Sequence, residues 1–170
     1  MNKTIYLARH AKSSWNSGAP TDFERPLSIR GMADTVKMGD ELNRLGWKPE
    51  LVISSPAIRA KQTCKSLCDK LGISVESVVW NKDIYVAYMI TLLHILSALT
   101  ESTKSVMMIG HNPALEDLLL YFCGDANAYQ QKNGKLLTTG NVAKIVVDVE
   151  WKELTMCEAD LESILRPKEL

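Results

Sequence analysis

The sequence predicts an α/β domain, a mainly parallel sheet with helices on both of its faces. Two observations predict it. Short apolar runs of strand formers alternate along the chain with longer stretches of helical length and composition, joined by short connections. Three of the strand runs stop abruptly at clusters of polar and charged residues, and in open α/β sheets ligands sit at the carboxyl ends of the strands.

Each element has its own local reason. Thr4 to Ala8 is a short apolar run that ends at Arg9-His10, and a polar loop spans Lys12 to Glu24. Ser28 is a good N-cap for a helix running to Leu45, with Gly46 as its stop and Val36, Met38, Leu42 and Leu45 as its apolar face. Leu51 to Ile53 is a second strand. Ser55 as N-cap and Pro56 at the first helical position open a helix over Ala57 to Leu71, which Gly72 closes. Val75 to Trp80 is a third strand, Met89 to Leu99 a helix, and Ser105 to Ile109 a fourth strand closed by Gly110-His111-Asn112-Pro113. Pro113 opens another helix that Gly124 ends. After a polar loop, Asn141 to Val149 alternates as a last strand does, and an edge position would suit it. From Met156 onward the chain is polar and charged and is expected to pack loosely.

Length and charge bound the function. The 170 residues make one domain over 1–170, long enough to bury its own core. Lys plus Arg is 20 and Asp plus Glu is 20, so there is no general attraction to nucleic acid or to an anionic membrane surface. No apolar run is long enough to span a bilayer, and the N-terminal apolar stretch is too short for a secretory signal, so a cytoplasmic protein is expected. The default expectation is a monomer. Cys64, Cys68, Cys123 and Cys157 form no Cys-x-x-Cys pair and are expected to be reduced, mostly buried thiols; no metal site is expected.

The chemistry lies in three strand-end clusters: Arg9-His10-Ala11-Lys12-Ser13, Ser54-Ser55-Pro56-Ala57-Ile58-Arg59 and Gly110-His111-Asn112-Pro113. In a parallel sheet all three face one crevice. Two guanidinium forks, two imidazoles and free backbone N–H groups are the parts that hold a phosphoryl group. Each cluster alone is a weak signal; their joint placement carries the argument. The chain has no Walker loop, no Gly-x-Gly-x-x-Gly, no Cys-x5-Arg loop and no Asp-x-Asp after the first strand. The nucleophile that remains beside an arginine at a strand end is His10. A neutral imidazole there can attack phosphorus, with Arg9, Arg59 and His111 binding the oxygens and the arginines disfavouring its protonated form. The scheme calls for no metal and no cofactor.

These residues carry a resemblance. Tyr6 to Asn16 resembles the opening motif of the histidine phosphatase superfamily, Ser54 to Thr63 its second-arginine motif, and Gly110 to Pro113 its second-histidine motif. Arg25 to Gly31 and Thr138-Thr139-Gly140 are similar to the small SixA-type phosphohistidine phosphatases. The resemblance spans nearly the whole chain. It implies a phosphoglycerate-mutase-like three-layer α/β/α sandwich, His10 as the phosphorylated residue, Arg9 and Arg59 as the phosphate clamp and His111 as a phosphate ligand. It also offers Ser13 and Asn16 as further phosphate contacts and Arg25 for the pocket rim. Ala11 stands where the wider superfamily has Gly, a change the small branch tolerates. The Glu that larger members place after the third strand as general acid is missing, and Asp83 is the carboxylate near that place, as an acid or as a turn cap.

Other polar and aromatic residues have plainer readings. His94 reads as a partly buried structural residue, Lys12 as either a substrate-facing cation or a solvated loop residue, and Trp15 and Trp80 as packing residues that could line a pocket mouth. Lys61, Lys65 and Lys70 read as a solvated helix face. Larger family members cover the site with insertions, which this chain has little room for. An open site suits a phosphohistidine on another protein. The alternatives are a broad phosphomonoesterase on small metabolites and a non-catalytic phosphate-binding module.

Overall fold

Successive side chains in a strand point to opposite faces of the sheet, and both faces here are covered. The computed structural model describes residues 2–124, 134–156 and 159–170. In β1 (Lys3–Arg9) and β4 (Ser105–Gly110), Ile5, Leu7, Val106 and Met108 pack into one core while Tyr6, Ala8, Met107 and Ile109 pack into the other. Helices α1 (Ile29–Leu45) and α2 (Ile58–Leu71) cover the second core. Helices α3 (Met89–Ser97) and α4 (Ala114–Cys123) cover the first, together with Trp151 and Leu154 of a 3₁₀ segment. The result is a three-layer α/β/α sandwich.

With β2 (Leu51–Ser54), β3 (Val79–Trp80), β5 (Val142–Val147) and β6 (Ala159–Leu165), the sheet has the order β3-β2-β4-β1-β5-β6. β1, β2, β3 and β4 are mutually parallel, whereas β5 runs antiparallel to both β1 and β6.

The helix ends follow their local signals. The Ser28 side chain accepts from the Gly31 N–H, and Gly46 and Gly72 close α1 and α2 in the left-handed conformation. Four elements differ from expectation. The 75–80 strand is cut to Val79–Trp80, because Val75–Ser77 forms a 3₁₀ turn that the Ser77 hydroxyl ties to the Ser74 carbonyl. The strand beginning near Asn141 is not at the edge, because β6 pairs along it. The C-terminal stretch is therefore ordered beyond residue 158, with Arg166 and Pro167 buried; Cys157 and residues 125–133 of the polar loop lie outside the described residues. In α1, Met38 and Leu42 are buried beside Thr35 and Gly39, but Val36 and Leu45 face outward, off the 3.6-residue stripe. Among the described residues no helix is long and apolar enough to cross a membrane.

Candidate active site

Arg9 ends β1, His10 follows it, and His111 follows β4. The parallel register sets Arg9 opposite Gly110, so the two histidines leave adjacent strands at the same level. Their rings lie 5.1 Å apart. Arg59, in the first turn of α2, brings its Nε to 3.4 Å from His10 Nε2.

Backbone bonds hold the segment after β1 from several sides. The His10 N–H donates to the Gly110 carbonyl at 3.1 Å, and the Gly140 N–H donates to the His10 carbonyl at 2.9 Å. The buried Ala11 donates its N–H to Thr63 Oγ1 of α2 at 3.1 Å. Two glycines permit this closeness. Gly140 has φ +81°, and a Cβ on it would come 2.9 Å from Pro167. A Cβ on Gly31 would run into the Lys12 carbonyl oxygen, which already accepts from the Ser28 N–H and hydroxyl.

Hydrogen bonding decides the tautomer of His10. Its Nδ1 lies 2.7 Å from the Ala11 carbonyl, which can only accept, so Nδ1 carries the proton. Nε2 then keeps its lone pair and accepts from Arg59 Nε–H. Burial, and after it the charges of Arg59, Arg9 and Arg25, lowers the His10 pKa from 6.5 to about 4. Burial also lowers His111 to about 3, with His10 and Arg59 acting the same way, while its Nε2 pairs with Ser55 Oγ at 2.8 Å. Both imidazoles are neutral at neutral pH.

A cavity of about 210 Å³ is lined by Arg9, His10, Lys12, Ser13, Trp15, Arg25, Arg59, His111, Asn112 and Thr139. The structure thus brings together all four strand-end residues with Ser13, Arg25, Lys12 and Trp15. Arg25 stacks on Trp15, its guanidinium 3.6 Å from the ring centre, and donates to Ser13 Oγ at 2.7 Å. Asn16 and Asp83 do not line this cavity. Asn16 is exposed on the loop, and the exposed Asp83 sits in a 3₁₀ turn capped by Asn81, its N–H donating to Asn81 Oδ1 at 2.9 Å. His94 is exposed on α3 rather than partly buried, and Trp80 packs against the core under α1 and α2.

Three contributors escaped the sequence reading. The Asp22 carboxylate accepts from Arg59 Nη2 at 3.0 Å, Arg25 Nε at 3.1 Å and the Tyr85 hydroxyl at 2.7 Å. Those bonds, the tyrosine's first, hold Asp22 at about 2, so it is an ionised anchor for the arginines and no proton donor near neutral pH. Tyr85 packs edge-on against His111 and Phe23. Ser55, expected as a helix cap, accepts from the Ala57 N–H at 3.2 Å and also pairs through Oγ with His111, while α2 begins one residue later than expected, after Ala57. An Asp in a polar loop and a Tyr after a short turn carry no local signal of these contacts. Among the described residues no group of three or more His, Cys, Asp or Glu is placed to hold a metal ion.

A sequence model of the histidine phosphatase superfamily, branch 1, matches residues 5–80. A crystal structure from Agrobacterium tumefaciens, assigned as the phosphohistidine phosphatase SixA, superposes with a TM-score of 0.81 at 30% identity, covering 97% of this chain and 98% of that one. A chloroplastic, uncharacterized protein of Arabidopsis thaliana is 32% identical over 145 residues, 81% of this chain and 66% of the relative. A 2,3-bisphosphoglycerate-dependent phosphoglycerate mutase of Brucella anthropi is 34% identical over 76 residues, 44% of this chain. The chain spans 66% and 37% of the lengths of these two curated relatives.

Proposed function

Since the chain belongs to the histidine phosphatase superfamily, we propose that it is a phosphatase that carries the phosphoryl group on His10 and takes it from a phosphohistidine of a partner protein. The observation that carries this reading is the unprotonated Nε2 of a neutral, buried His10, which lines a cavity together with three arginines and accepts from one of them, Arg59. Nε2 attacks phosphorus, and the P–N bond to the substrate ring breaks. That ring leaves as neutral imidazole, having taken a proton from water beforehand. Water then attacks phospho-His10, inorganic phosphate departs, and Nε2 regains its lone pair. Arg9, Arg59 and His111 stabilise the charge on the transferring oxygens, so the reaction needs no metal.

What lines the cavity supports this class of substrate. Among the described residues its lining holds no carboxylate, and Asp22 behind Arg59 is ionised. An alkyl phosphate expels an alkoxide that needs a proton as it leaves. A phosphohistidine expels a ring whose conjugate acid has a pKa of about 6.5, which asks far less of the enzyme. The similarity to a phosphoglycerate mutase favours a second reading, a phosphomonoesterase acting on small metabolites.

The test compares a phosphohistidine protein with alkyl phosphates, with and without chelator, on the wild type, His10→Ala and Asp83→Asn. The proposal expects phosphohistidine to be cleaved far faster and an acid-labile phosphoenzyme to be trapped. It also expects both to vanish in His10→Ala, and Asp83→Asn to change neither substrate. Efficient alkyl-ester hydrolysis would establish the second reading, and substantial activity in His10→Ala would end the mechanism.

A further inference from the structure

A second, larger cavity of about 470 Å³ opens beside the first, and Arg9, Lys12, Asn112 and Thr139 line both. Its other walls come from the start of α1, Glu116 of α4, the 135–141 segment and the C-terminal Pro167-Lys168. None of the three strand-end clusters requires it.

Two features of its lining point to an anion. Five cationic residues, Arg9, Lys12, Arg30, Lys135 and Lys168, stand against two carboxylates, Asp34 and Glu116. Both carboxylates are occupied. Asp34 faces Arg30 at 3.8 Å, and Glu116 accepts from the Leu137 N–H at 3.1 Å and from Asn112 Nδ2 at 3.3 Å. The wall also holds buried donors without acceptors among the described residues. Asn141 is 0% exposed, and its Oδ1 accepts from Thr138 Oγ1 at 3.1 Å while its Nδ2 has no partner. Arg9 spends Nη1 on the Leu137 carbonyl at 3.0 Å, and its buried Nε has none. A buried donor left unpaired costs about 1–3 kcal/mol, and both of these belong to residues that line the cavity.

We infer that this cavity is a second subsite, which binds a carboxylate or phosphoryl group carried by the substrate molecule whose phosphoryl group reaches His10. The inference rests on the phosphatase reading and narrows it to doubly anionic substrates. On a polypeptide the group is an acidic side chain near the phosphohistidine; on a metabolite it is a second acid function.

The test measures kcat/KM for matched substrates in three arms. The first compares phosphohistidine peptides flanked by Glu or by Gln. The second compares carboxyphenyl phosphate with phenyl phosphate, and the third an alkyl bisphosphate with its monophosphate. The enzymes are the wild type, the double variant Arg30→Gln/Lys168→Gln, and the charge-matched control Lys37→Gln/Lys65→Gln, whose positions are exposed and line neither cavity. The wild type should prefer the doubly anionic member about tenfold, mainly through KM, and the preference should fall close to one in the double variant but persist in the control. A preference confined to the peptide arm assigns the group to a polypeptide, and one confined to the bisphosphate arm to a metabolite. No preference in any arm, or one that survives in the double variant, overturns the subsite. A preference in the second arm that the double variant loses, with no phosphohistidine cleavage by the wild type, keeps the subsite and removes the phosphohistidine reading instead.

Discussion

Burying His10 as a neutral ring has a cost that appears when the protein is acidified. The residue is 7% exposed, and its folded-state pKa is about 4, against 6.5 in the unfolded chain. Between those values the unfolded chain binds a proton at this position and the folded protein does not, so stability is complete above pH 6.5 and falls as pH drops toward 4. At pH 5 the loss assignable to His10 is about 2 kcal/mol, yet about nine-tenths of folded molecules keep the ring neutral, where an ordinary histidine would be about 3% neutral. Asp22 does not confuse the measurement. Its folded pKa of about 2 lies below the unfolded 3.8, so its contribution is present above about pH 4 and lost only below that.

The assay is urea unfolding at pH 8 and pH 5 for the wild type and His10→Asn, which removes the titrating ring. With a slope of about 2 kcal/mol per molar for a protein of this size, the midpoint loss on acidification should be about 1 M larger in the wild type. His111, present in both proteins, contributes to each. Equal losses would refute the claim that His10 is held neutral by its surroundings.

Two further outcomes follow from the arginines. Arg59→Ala should cut kcat/KM by about 10²-fold or more, because it removes a preorganised donor beside His10, the proposed nucleophile. Lys65→Ala, on the exposed face of α2, should change it by less than about twofold; equal effects in steady-state assays would mean that Arg59 acts only structurally. Asp22→Asn keeps the size of the side chain but removes the charge that orients Arg59 and Arg25, so KM should rise by about 3- to 10-fold with kcat changed less. An unchanged KM would dismiss Asp22 as an anchor.

Much of this arrangement is legible in local pattern. Ser28 as a cap, Gly46 and Gly72 as stops, and the apolar runs of β1, β2 and β4 are decided within a few residues, because capping, left-handed backbone and strand burial are short-range effects. A parallel sheet then aligns strand ends, which is why the sequence alone groups Arg9, His10, Arg59 and His111. Other features depend on contacts between distant segments. β6 alternates too weakly to declare itself and becomes a strand by pairing with β5, which moves β5 away from the edge. Asp22 and Tyr85 are 63 residues apart and meet on Arg59 only once the loop after β1 folds over α2. Asn141 and Lys168 reach the second cavity from the two ends of the β5–β6 hairpin. Whether Asp83 or Asp22 stands behind Arg59 is likewise set by which loop packs there, a choice between long-range packings that local residue preferences do not encode.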